Sequence, residues 1–188
     1  MKVKYPRAAA LAVARELVKA LAPVTIQGRL IVAGSLRRRK AAVGDVEIVY
    51  VPYVVRVAGY EDFFTSSLVN HADKALADLL ARGILVKRRN ALGSEVWGDK
   101  NKLAVHPASG VPVDLFAATD ANWFNYLVCR TGSAENNTRI AIAANGRGWK
   151  WNPYGPGFTD NRGECVPVRS EREVFELAGL ACLEPWER

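Results

Sequence analysis

Apolar positions recur along this chain with two periods, and the switches between them mark the elements. Leu11, Ala14, Leu17, Val18 and Leu21 follow at three- and four-residue spacing. That spacing predicts an amphipathic helix beginning near Pro6 and stopping at Pro23. The run TIQGRLIVA, residues 25–33, is rich in aliphatic and β-branched residues and reads as a strand. Gly34 and Ser35 break it, and a short helix carrying Arg37 to Lys40 is expected there. DVEIVYV, residues 45–51, is a second strand. Successive strand side chains face opposite ways, so Asp45 and Glu47 share one face while Val46, Ile48 and Tyr50 share the other. Residues 61–82 place Phe64, Leu68, Ala72, Ala75, Leu76, Leu79 and Leu80 on one helical stripe, with Gly83 positioned to end it. ILVKR follows as a strand, and KLAVHPASGVPVDLF reads as two strands joined by a Pro-Ala-Ser-Gly turn.

Beyond residue 120 the texture changes. Two helices are predicted over 121–129 and 134–145 around a Thr-Gly-Ser turn. GRGWKWNPYGPGFTDNRG, dense in glycine, proline and aromatics, predicts a hairpin and loop, with Trp149 and Trp151 packing a small lobe. Ser170 and Glu173 form a capping-box pattern before a helix over 171–178, closed by Gly179. The order of elements predicts an α/β or α+β core followed by a smaller lobe.

Composition adds a partner class. The 188 residues suit one domain, or a core domain with a small lobe. The net charge of +7 and pI near 9.5 favour a polyanion, nucleic acid before an anionic membrane. No apolar run is long enough to span a bilayer, and the N-terminal segment has charges inside its apolar part, unlike a signal peptide. Cys129, Cys165 and Cys182 are odd in number and lack C-x-x-C spacing, which suggests neither a disulfide framework nor a zinc site. The reducing cytoplasm is the expected setting, and His71 and His106 are read as structural or surface residues.

Candidate chemistry centres on acids inside strands, which are costly unless compensated. For Asp45 and Glu47, a solvated face, a paired arginine or a divalent cation would each serve. Asp114, in a second strand-like segment, and the Gly34-Ser35 turn shift the balance. A helix opening directly after a strand offers free N–H groups to phosphate, and Arg38 can add a bidentate contact. Carboxylates suit Mg²⁺, which keeps substrate phosphates and water in its shell. Together the residues point to nucleotidyl transfer. Lys87, Arg88 and Arg89, with Lys100 and Lys102, either track a DNA backbone or form solvated charged faces.

The motifs GSLRRR, GDVE and PVDLF, in this order, with RTGSAENNTR and the terminal EREVFELAGLACLEPWER, resemble the DNA polymerase beta (family X) branch of the nucleotidyltransferases. The resemblance covers nearly the whole chain and is closest to minimal viral or phage forms. It implies an α+β fold: a palm over residues 1–120, with a mixed or antiparallel sheet and helices on one face, and a nucleotide- and base-pair-binding subdomain over 121–188. It implies that Asp45, Glu47 and Asp114 are the catalytic and metal-binding acids for two Mg²⁺ ions, replaceable by Mn²⁺. Asp114 would activate the primer 3′-hydroxyl. Gly34, Ser35 and Arg38 match triphosphate-binding positions. Gly132 and Ser133 match the turn that cradles the sugar, Asn137 the base contact, with Asn136 a neighbouring candidate, and Arg139 the arginine that reaches the template.

Two residue choices depart from the pattern. Glu47 stands where the family usually has aspartate, and Cys129 and Arg130 stand where it usually has aromatics. The resemblance also implies a chain without the N-terminal lyase domain, so 5′-deoxyribose-phosphate lyase activity is not expected. The implied activity is template-directed DNA polymerisation in gap filling or repair. The implied partners are gapped or primer-template DNA, dNTP and a ligase, with the protein a cytoplasmic monomer of a bacterial or virus-infected cell. The rival readings are a template-independent nucleotidyltransferase and a degenerate DNA-binding module.

Overall fold

Strands rich in valine, isoleucine and leucine assemble the central sheet, and the helices that flank it bury their apolar stripes on it. The computed structural model describes residues 3–58 and 66–188. The first part of the chain runs β1 (Tyr5–Pro6), α1 (Arg7–Leu21), β2 (Thr25–Val32), α2 (Gly34–Arg37), β3 (Ala42–Val43) and β4 (Val46–Pro52). There follow β5 (Val54–Ala58), β6 (Ser66–Asn70), α3 (His71–Ala81), β7 (Val86–Lys87), β8 (Asn101–His106) and β9 (Val111–Ala117). The C-terminal lobe contains α4 (Trp123–Thr131), α5 (Ala134–Gly146), β10 (Lys150–Trp151), β11 (Gly157–Thr159), β12 (Cys165–Pro167) and α6 (Glu171–Ala178). The fold is α+β, as the resemblance implied.

The main sheet has five strands in the order β2-β4-β9-β8-β7. It is mixed: β4 and β9 are parallel neighbours, and the other pairs are antiparallel. β4 is an interior strand covered on both faces, which explains its nearly continuous apolar sequence. One face carries Val46, Ile48 and Tyr50, all fully buried with Val113 and Leu115 against α1 and α3. The other carries Val49, Val51 and Phe116, packed against Trp123, Tyr126 and Leu127 of α4. The helices α1 and α3 therefore share one face, as expected for the palm, and the second face is covered by α4, which folds back from the C-terminal lobe onto the sheet. Among the described residues no helix is long and apolar enough to cross a membrane.

The helix expected over 61–82 is shorter. Phe64 lies outside the described residues, and Ser66–Asn70 form β6, paired with β5 in a hairpin. Leu68 is 69% exposed and does not belong to the core stripe. The physical reason is Asn70. Its backbone is extended and its side chain accepts a hydrogen bond from the Asp73 N–H, so it caps α3 and fixes the start at His71. The strand expected over 84–88 is likewise reduced to Val86–Lys87. The Ile84 and Leu85 N–H groups are instead given to the Leu79 carbonyl at the end of α3.

The C-terminal lobe has its own core of Val128, Ile140, Trp151, Phe158, Val174 and Phe175. Trp151 donates through Nε1 to Asn125 Oδ1 at 2.6 Å, and Trp149 packs against Phe158. Both tryptophans serve packing. His106 is also committed, to Ser109 Oγ at 2.8 Å and Glu16 at 3.3 Å.

Candidate active site

The parallel pairing of β4 with β9 sets Glu47 directly beside Asp114. Register partners on neighbouring strands face the same way, so both carboxylates lie on the face opposite Val46 and Ile48. Asp45 precedes β4, two residues before Glu47. The sequence thus brings the three acids to one region of the sheet. Burial pushes the Glu47 carboxyl up to about 7, and the charges of Asp45 and Asp114 add to the rise. Arg130 and Arg38 oppose it. Arg88 donates to Asp114 from the end of β7. The donor set is one of hard oxygens, and the mutual repulsion felt by Glu47 is what a divalent cation would relieve. Among the described residues no three His, Cys, Asp or Glu side chains already converge as a ready cage.

Gly34 connects the turn to the acids. Its φ is +58°, and a Cβ placed on it would come within 1.7 Å of Glu47 Oε2. Only glycine leaves that space, and only glycine adopts this backbone without strain. The helix that follows is a single turn, Gly34–Arg37.

The cationic block divides its work. Arg37 donates to Thr131 Oγ1 at 2.7 Å and to both Glu171 oxygens, at 2.9 and 2.5 Å. Arg38 donates to the Thr131 carbonyl and lies 3.3 Å from where a Cβ on Gly132 would sit, while its own Nε is buried with no hydrogen-bond partner among the described residues. Arg39 lies over the Trp186 ring, 3.8 Å from its centroid. Residues that read as one basic patch therefore fasten α2 to the C-terminal lobe at separate points.

The Thr-Gly-Ser turn joins α4 to α5, and its Gly132–Ser133 peptide is cis. Ser133 Oγ caps α5, accepting from the Asn136 N–H at 3.3 Å. Asn137 donates to the Cys129 carbonyl at 2.9 Å, while its Oδ1 is buried with no hydrogen-bond partner among the described residues. Arg139 donates to Asn136 Oδ1 at 3.3 Å. Lys87, Arg88 and Arg89 are internally engaged. Lys87 pairs with Glu95 at 2.8 Å, Arg88 with Asp114, and Arg89 donates to the Gly93 carbonyl at 3.1 Å. Lys102 is buried and paired with Asp73 at 2.9 Å.

Three contributors escaped the sequence reading. Glu171 sits between Arg37 and Arg188, and Arg188 Nη1 lies 2.6 Å from Glu171 Oε2. Thr131 takes bonds from two arginines. Arg130, noted only as a departure, turns its guanidinium onto Phe116, 3.8 Å from the ring centroid. The signal for Glu171 was its place in the first turn of α6, but its partners lie 134 and 17 positions away. Such separations leave no local pattern.

Residues 126–188 match the family model of the DNA polymerase beta thumb. The matched span contains the Thr-Gly-Ser turn, α5, the three short strands, α6 and Arg188. The match supports a family X, polymerase beta-like relationship. No curated protein matches the chain.

Proposed function

We propose that this chain, with a thumb related to that of DNA polymerase beta, is a metal-dependent, template-directed DNA polymerase. It adds a nucleotide to a primer 3′-hydroxyl with release of pyrophosphate, on gapped or primer-template DNA. The observation that carries the reading is the placement of Glu47 beside Asp114, with Gly34 against the Glu47 carboxylate. The thumb match adds a DNA-binding lobe of the right kind, and the net charge of +7 suits a polyanionic duplex.

In this reading Asp45, Glu47 and Asp114 would hold Mg²⁺, which would supply Lewis-acid activation of the hydroxyl and charge neutralisation at the pyrophosphate. The chain's own residues do the rest. Asp114 orients the primer hydroxyl and takes its proton. Ser35 and Arg38 receive the triphosphate, with Arg38 giving up its hold on Thr131 or sharing it. Gly132 and Ser133 lie along the sugar, Asn137 meets the base through the Oδ1 that has no hydrogen-bond partner among the described residues, and Arg139 reaches the template. The clasp from Arg37 to Glu171 ties α2, beside the acids, to α6 of the thumb.

The test is extension on a one-nucleotide gapped duplex, with each of the eight nucleotides supplied singly and the template base varied. The expected result is Mg²⁺-dependent addition that follows the template base and disappears in Asp114→Asn, with duplex binding retained. Addition indifferent to the template base would move the chain to the template-independent nucleotidyltransferases. No addition with either Mg²⁺ or Mn²⁺ would remove the reading.

A further inference from the structure

A separate cavity lies between the sheet and the C-terminal lobe. It encloses about 440 Å³, within the range of small-molecule pockets. Its walls are Lys100 and Asn101 at the start of β8, Asn122, Tyr126 and Arg130 of the α4 region, and Tyr154 after β10. None of the residues assigned to the incoming nucleotide lines it. Two of the lining residues are cations and none is acidic. Among the described residues neither cation has an ion-pair partner.

The walls are fixed by their own contacts. Tyr126 donates through its hydroxyl to Asn101 Oδ1 at 3.2 Å, and Asn122 donates to the Tyr154 carbonyl at 3.0 Å. The Tyr126 and Tyr154 rings meet edge to face, with centroids 5.4 Å apart. Between them Arg130 is caged, its guanidinium carbon 3.8 Å from the Phe116 centroid, 5.4 Å from Tyr126 and 5.2 Å from Tyr154. The rings hold the cation without neutralising it. Among the described residues Arg130 Nε is buried with no hydrogen-bond partner, which is rare for a buried donor. Tyr154 is 56% exposed at the rim, so its ring is available for stacking.

A pocket with an available aromatic face, two cations and neutral amide groups selects a planar, hydrogen-bonding anion. We propose that it binds a nucleoside 5′-phosphate, with the base on Tyr154 and the phosphate held by Lys100 and Arg130. The ligand is either a free mononucleotide or the phosphate-bearing end of a strand, since the chemistry presented is the same. None of the three acids lines the pocket, although the charge of Arg130 reaches Glu47, and the site needs no metal.

The experiment is a calorimetric titration of the full chain with dAMP in EDTA, set beside inorganic phosphate and deoxyadenosine. The expected result is that dAMP binds more tightly than either. Tyr154→Ala and Lys100→Ala are each expected to weaken it by about tenfold, the scale of one stacked base or one charge contact, while Ser35→Ala changes nothing. Lys100 and Tyr154 are both exposed, so these variants keep the core intact, and unchanged melting temperatures verify this. Displacement of dAMP by a 5′-phosphorylated oligonucleotide, but not by its 5′-hydroxyl form, identifies a strand end as the ligand. Displacement by neither identifies the free nucleotide. Equal displacement by both, dAMP affinity insensitive to Tyr154 and Lys100, or binding lost with Ser35, would overturn the proposal. The titration contains no metal and reads no extension, so its failure leaves the polymerase reading standing, and the reverse holds.

Discussion

Glu47 fills the space that any side chain on Gly34 would need: a Cβ there would lie 1.7 Å from Glu47 Oε2. The turn that ends β2 and an acid of β4 are thus one steric unit. Gly34→Ala must strain a backbone at φ +58°, a cost of about 1–2 kcal/mol, and must also drive the carboxylate away. A displacement near 1 Å at a reacting centre costs about a hundredfold in rate. The expected outcome is a folded protein, judged by far-ultraviolet dichroism, with nucleotide addition reduced by at least about that factor. Retention of full activity would show that the position of Glu47 does not matter.

Arg88 and any cation held by the three acids compete for Asp114. Replacing Arg88 with glutamine removes the positive competitor and leaves a more negative site. An opposite charge this close typically shifts a carboxylate's equilibrium with a cation such as the proton by about 1–3 pK units. Arg88→Gln is therefore expected to tighten Mn²⁺ binding by about tenfold, read by paramagnetic resonance of the free ion. Weaker Mn²⁺ binding in the variant would mean that Arg88 organises Asp114 for the cation instead of competing with it.

Glu171 joins the two parts of the molecule through Arg37 and Arg188, whose side chains are 20% and 2% exposed. Burial alone would push the Glu171 carboxyl up, but the hydrogen bonds and charges of the two arginines outweigh it and hold the carboxyl below its usual range. Removing the acid leaves two cations facing each other, one of them fully enclosed. Breaking a buried pair in this way costs about 3–5 kcal/mol. Glu171→Ala is expected to lower the urea midpoint by a corresponding amount, with Glu171→Gln intermediate because it still accepts a hydrogen bond. A loss confined to the C-terminal lobe would appear as two separate unfolding transitions.

What the sequence made legible followed from short-range periodicity. The alternation in DVEIVYV correctly separated Glu47 from Val46, Ile48 and Tyr50, because a covered interior strand enforces that division on every residue. The serine-initiated helix at Ser170 was equally plain, since its cap bond spans three residues. The β5–β6 hairpin was not legible. Leu68 happens to fall at helical spacing from Ala72, and only the Asn70 cap reveals that the helix has not yet begun. The tethers from Arg37, Arg38 and Arg39 were hidden for another reason. Four adjacent cations look alike in one dimension, and their destinations on α4, α6 and Trp186 depend on how α4 folds back.

The raised Glu47 carboxyl makes stability depend on pH in a direction opposite to the usual carboxylate. In the unfolded chain the group loses its proton near 4.5, while in the folded protein it keeps it up to about 7. Between those values the folded state binds more protons, so stability falls as pH rises through this window and stays reduced above it. The shift of about 2.5 corresponds to roughly 3 kcal/mol as an upper scale. Glu47→Gln cannot ionise and escapes this cost. With EDTA present, the variant is expected to match the parent near pH 4.5 and to exceed it by about 2–3 kcal/mol at pH 8, measured by urea unfolding at both values. Added Mg²⁺ is expected to narrow the gap, because a bound cation stabilises the charged carboxylate in the parent alone. Equal stabilities at pH 8 without metal would mean that Glu47 ionises freely, and that its neighbours on β4 and β9 do not press on it.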